Sequence, residues 1–104
     1  MKYMIEYKVR TVGLSHDGNL ANQDALLKAF ATWAPEDGLN VHAFVANLNN
    51  GGYVLVEAAD PDVLYSFVSK FFYWNDTNVV PVVDVEDTVR IGTESLAWAR
   101  AALN

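Results

Sequence analysis

Hydrophobic and polar positions alternate strictly at the start of the chain. Over residues 2 to 12, Tyr3, Ile5, Tyr7 and Val9 fall on one side, and Met4, Glu6, Lys8 and Arg10 on the other. A period of two in aromatic and β-branched residues predicts a strand. The cluster SHDGN, Ser15 to Asn19, reads as a loop. The period then lengthens: Leu26, Phe30 and Trp33, with Leu27 beside them, make the apolar stripe of a helix that Pro35 and Gly38 end. Residues Gly38 to Ala58 read as two strands joined at NNGG, whose residues tolerate the positive φ of a tight turn. In ADPDV, Asp60 is a good N-cap, Pro61 suits the first helical position, and Asp62 favours the positive end of the dipole. Leu64, Phe67, Val68 and Phe71 supply that helix's stripe. VVPVVDV, Val79 to Val85, predicts a fourth strand, either at a sheet edge or with a bulge, because Pro81 donates no ladder hydrogen bond. TESLAWARAAL predicts a third helix capped near Thr93, after a break at Gly92. The order is βαββαβ plus a terminal helix. It predicts one α+β, ferredoxin-like domain over residues 1–104, a four-stranded antiparallel sheet with both main helices on one face.

A turn centred on Asn50 and Gly51 predicts a register in which 45 faces 56, 44 faces 57 and 43 faces 58. Val41, Ala43, Val45, Val54, Val56 and Ala58 then lie under the helices. His42, Phe44, Tyr53, Leu55 and Glu57 lie on the other side of the sheet. Met4, Glu6, Lys8, Arg10, Val80, Val82 and Asp84 join that second face, which is half apolar and half charged. Such a surface on a small domain marks an interface or a ligand site, and two such sheets stacked together would close a dimeric barrel around a mixed cavity. The alternative is an ordinary exposed sheet face in a monomer.

Six stretches, MKYMIEY, LLKAFATWAPEDGLNVHAFVA, GGYVLVEA, VSKFFYWND, VVPVVDVED and ESLAWARAA, carry a resemblance. The chain resembles the dimeric α/β-barrel superfamily of ferredoxin-like domains. More narrowly, it resembles the bacterial domain-of-unknown-function family numbered three-three-zero-three. The resemblance implies sheet-to-sheet dimerisation. The superfamily spans cofactor-free enzymes, haem enzymes and noncatalytic ligand-binding domains, so the resemblance does not select a chemistry.

Composition narrows the partners. The formal net charge is −6, and no basic cluster offsets it, which argues against nucleic acid and against anionic membrane surfaces. No apolar run approaches the roughly 20 residues of a membrane span. The charged, alternating N-terminus does not read as a signal peptide, so the expected location is cytoplasmic. Cysteine is absent, which removes disulfides, thiolate metal sites and cysteine catalysis.

The candidate chemistry sits on the second sheet face. The register makes His42 and Glu57 diagonal neighbours, and a carboxylate beside an imidazole orients it for general acid–base work. Arg10 and Tyr53 are candidates to position a substrate oxygen, with Phe44, Asp84 and Glu6 lining the same space. Glu6, Lys8, Arg10 and Asp84 form a candidate ion-pair network in which Lys8 or Arg10 reaches Asp84. No HxH or HExxH spacing joins His16 or His42 to a metal site, and no GxSxG or phosphate loop occurs, so neither metal nor cofactor is expected. Two readings follow. One is a homodimer enclosing a pocket for a small organic molecule, with His42 and Glu57 as a cofactor-free acid–base pair. The other is a noncatalytic dimerisation or ligand-sensing module, in which the same residues hold the interface.

Overall fold

The computed structural model describes every residue except Val12 and Leu14. Strand β1 (Lys2–Val9) is followed by α1 (His16–Thr32), β2 (Leu39–Ala46), β3 (Gly51–Ala58), α2 (Pro61–Ser69), β4 (Asn75–Val82) and α3 (Val85–Ala102). The sheet runs β2-β3-β1-β4 with antiparallel neighbours throughout, the ferredoxin-like order expected of βαββαβ. The first strand stops at Val9 rather than at residue 12, and Val12 itself lies outside the described residues.

Local chemistry explains the first two helices. SHDGN is not a loop but a helix start: the Ser15 Oγ accepts the Gly18 N–H at 3.1 Å, and α1 begins one residue after it. In α2 the Asp60 carboxylate accepts the Val63 N–H at 2.9 Å and Pro61 opens the first turn, as the sequence predicts. The stripe of α2 buries Leu64, Phe67 and Val68 against Ile5, Val54, Val56 and Ala58, and these form the core. Phe30 of α1 reaches the same side, with its ring 6.2 Å from Phe71.

The hairpin keeps the predicted faces of β3 and of Val41, but not the predicted register: Val45 faces Tyr53 rather than Val56, and the residues after His42 change face. Leu39, Asn40 and Val41 pair with Ala58, Glu57 and Val56; Ala43, Phe44 and Val45 then pair with Leu55, Val54 and Tyr53. His42 is the extra residue between the two runs, a β-bulge. The bulge flips every later side chain of β2 relative to strict alternation. Ala43 and Val45 therefore turn to the open face, and Phe44 goes under the helices instead of facing the expected cavity. The turn is also longer than a two-residue loop. Asn47 N–H bonds the Gly51 carbonyl at 2.8 Å, Asn49 N–H bonds the Asn47 side chain at 2.7 Å, and Asn50 takes positive φ, 54°.

The last part of the chain departs furthest from expectation. β4 starts at Asn75, not at Val79, and lies at the sheet edge, with Pro81 opposite Tyr3. Asp84 lies two residues past β4 at the N-cap position of α3, which runs unbroken through Gly92 for 18 residues. Among the described residues of α3 none is buried. The molecule extends over 68 × 29 × 19 Å with a radius of gyration of 18.9 Å. A compact chain of this length has about 13 Å. Neither α1 nor α3 has a buried residue, in keeping with this extended shape.

Candidate functional site

The open face of the sheet is built by the alternation of β1 and β3. Met4 pairs with Leu55 and Val80, and Glu6 with Tyr53 and Asn78. With Val45 and Ala43 turned outward by the bulge, the centre of this face is apolar. Its polar groups collect at the two ends.

One end carries a row of charged or ionisable groups, one from each strand in sheet order. His42 Nε2 of β2 lies 3.1 Å from Glu57 Oε1 of β3. Glu57 pairs across the ladder with Lys2 of β1. The Lys2 ammonium bonds Asp84, just past β4, at 2.8 Å. The Asp84 hydrogen bond raises the Lys2 pKa above its ordinary value; the negative charges of Asp84, Glu57 and Asp87 act in the same direction, against a smaller desolvation effect. When His42 donates its Nε2–H to Glu57, its Nδ1 is left as the ring's acceptor. This arrangement can orient an imidazole and move a proton.

The structure therefore brings His42 and Glu57 together, and it separates them from other expected partners. Arg10 follows the far end of β1, where it donates to the Phe72 carbonyl and lies 3.7 Å from Asp76. The eight residues of β1 separate it from Lys2, a span of about 25 Å. Asp84 is bonded by Lys2, not by Lys8 or Arg10, because β4 runs antiparallel to β1 and its end meets the beginning of β1. Tyr53 and Glu6 are cross-strand neighbours on the open face, both exposed, four residues along β3 and β1 from Glu57 and Lys2. Phe44 lies on the opposite face, its ring 5.3 Å from Phe30 and 5.7 Å from Tyr7. Lys2 was not among the expected residues, although extending the alternation of Met4, Glu6 and Lys8 by one step reaches it.

Under the helices there is a cavity of about 220 Å³ that sequence patterning did not indicate. Tyr7, Phe30, Phe44, Phe67 and Phe71 contribute to its wall, together with Asn75. Tyr7 donates its hydroxyl to the Val45 carbonyl at 3.3 Å, and burial pushes its phenol pKa above the ordinary value. A phenol held neutral by burial contributes stability that is complete below its unfolded value of about 10 and is lost as pH rises through the higher folded value. Tyr7→Phe is therefore expected to remove the highest-pH step of an ultraviolet phenolate titration and to flatten the fall in stability above about pH 10. Loss of amplitude near pH 10, with the highest-pH step intact, would instead place Tyr7 in solvent.

The fold and the open face define a class: a small ferredoxin-like α+β domain whose sheet leaves one face uncovered. The family model described as "Domain of unknown function (DUF3303)" matches residues 1–96, and the chain belongs to that family. No curated protein matches the chain. Among the described residues, no three potential ligand side chains come together as a metal site, and no helix is long and apolar enough to cross a membrane.

Proposed function

We propose that this chain acts as a homodimeric small-molecule-binding protein, two copies meeting through the open sheet face with α3 of each laid along the other. The observation that carries this reading is α3 itself, 18 residues without a buried side chain. In proteins most of a helix's stability comes from packing of its apolar face rather than from propensity. Val85, Val89, Leu96 and Leu103 recur at helical spacing on one side of α3, 58 to 87% exposed. Glu86, Asp87, Arg90 and Glu94 lie on the other side, where Arg90 approaches Asp87 and Glu94. The open sheet face is the second uncovered apolar surface of the same chain. A two-fold axis lets each surface cover its counterpart, as an isologous interface requires. Light scattering on the eluting protein tests the proposal: a mass of twice 11.5 kDa is expected, and a monomer ends it.

Such a closure leaves a mixed space bordered by Tyr53, Glu6 and the His42–Glu57 pair, suited to a small organic molecule. The 3.1 Å contact between His42 and Glu57 is the geometry that cofactor-free acid–base chemistry there would use, and a structural pair would share it. His42→Ala separates the two. If the pair faces a ligand space, the variant stays dimeric and loses less than about 1 kcal/mol, as for other partly exposed ion pairs. Dissociation of the His42→Ala dimer would instead assign the pair to the interface, as in a noncatalytic dimerisation or ligand-sensing module. The proposed location is the cytoplasm, whose reducing conditions suit a chain without cysteine.

A further inference from the structure

The cavity between the sheet and helices α1 and α2 is a separate site, on the face opposite His42 and Glu57. Its wall is aromatic and aliphatic, with only Tyr7, Thr77 and Asn75 polar among the described residues. No charged side chain lines it, so a carboxylate or ammonium would enter unpaired at a cost of several kcal/mol. The Phe30, Phe44 and Tyr7 rings meet edge to face at 5.3 and 5.7 Å, an arrangement that extends readily to one more ring.

Asn75 gives this wall a direction. It is only 8% exposed. Its Nδ2 donates to the Phe71 carbonyl at 3.1 Å, which fixes the orientation of the amide. The Oδ1 then finds no hydrogen-bond donor among the described residues. A buried acceptor left unsatisfied costs about 1–3 kcal/mol, and a ligand that brings a donor removes that cost.

We propose that this cavity binds a neutral, one- or two-ring aromatic molecule carrying a single hydroxyl or N–H, which it donates to Asn75 Oδ1. Size agrees: a dry apolar cavity of about 150 Å³ takes up benzene, and about 220 Å³ leaves room for a ring with a fused or attached group. Leu27 and Phe30 of α1, 66% and 43% exposed, stand where the cavity opens to solvent. The site lies within one chain, so it does not depend on dimerisation.

Indole and benzothiophene are the probes, alike in shape but only the first with an N–H. Each is titrated into the full chain by calorimetry. Indole is expected to bind roughly fivefold tighter, the equivalent of one net hydrogen bond. In Asn75→Ala the two should bind equally. Leu26→Trp, which fills the cavity from α1, should abolish both while the circular dichroism spectrum stays native. If Asn75→Ala does not fold, the wild-type ratio and Leu26→Trp together decide. Equal binding of the two probes by the wild type, binding of neither, or indole binding that survives Leu26→Trp would overturn the proposal.

Discussion

Leu96→Asp is expected to turn the proposed dimer into a folded monomer. Leu96 is 58% exposed within its own chain and sits mid-way along the apolar side of α3. In the proposed dimer that side is covered by the second copy. Replacing the leucine forfeits its burial, about 2 kcal/mol, and asks a carboxylate to enter the same contact. Together these weaken association by about 3 kcal/mol or more, over a hundredfold in Kd. Mass by light scattering and concentration-dependent melting are the measurements. Because Leu96 belongs to a helix that contributes nothing to the intrachain core, the sheet and first two helices should keep their circular dichroism and their core protection in hydrogen exchange. If Leu96→Asp leaves the mass at twice the monomer, α3 is not part of the interface.

The second large effect is expected within one chain. Gly52→Ala should destabilise the fold by about 3 kcal/mol, near the upper end for forced overpacking. An added Cβ would sit 2.0 Å from the Val45 carbonyl oxygen and 2.6 Å from the Tyr7 hydroxyl. The tyrosine can move, but the carbonyl is backbone and belongs to the neighbouring strand. Relief therefore requires β2 and β3 to separate. Tyr7→Phe should not rescue the variant, because it leaves the carbonyl in place. Gly51→Ala should behave similarly, its Cβ falling 2.2 Å from the Tyr7 carbonyl oxygen. Urea denaturation reads both. A loss smaller than about 1 kcal/mol would mean that the strands lie further apart than described here.

These two sites show where sequence patterning reads this protein and where it stops. NNGG announces a turn, and the turn exists, yet its two glycines are needed where β3 passes close to β1 and β2. Close approach of two strands distant in sequence leaves no local signature. The bulge at His42 is a similar case. The alternation of β3 places Val54, Val56 and Ala58 correctly under the helices. Nothing in the order of residues along β2 marks one as extra. The bulge appears when Leu39 and Val41 on one side of it, and Phe44 on the other, all take places on the helix face. Packing the Phe44 ring against Tyr7, Phe30 and Trp33 is a tertiary gain that outweighs strict alternation, although Phe44 stays 38% exposed.

Sequence alone determined the element order and the stripe of α2, because periodicity and caps are set by near neighbours. It also put His42 and Glu57 near each other, but through a register in which 44 faces 57; the structure pairs Glu57 with Asn40 and brings His42 to it from the bulge beside that pair. The predicted start of α3 lies too late because Gly92 is a poor helix residue, whereas the helix-compatible run from Val85 carries the helix through it. Only the tertiary structure decided the rest. It assigned Asp84 to Lys2, sent Arg10 to the far end of the sheet, enclosed Asn75 beneath the helices and left every residue of α3 unburied. Each of these depends on which distant segments come together, and that is set by the antiparallel packing of the whole sheet rather than by any window of sequence.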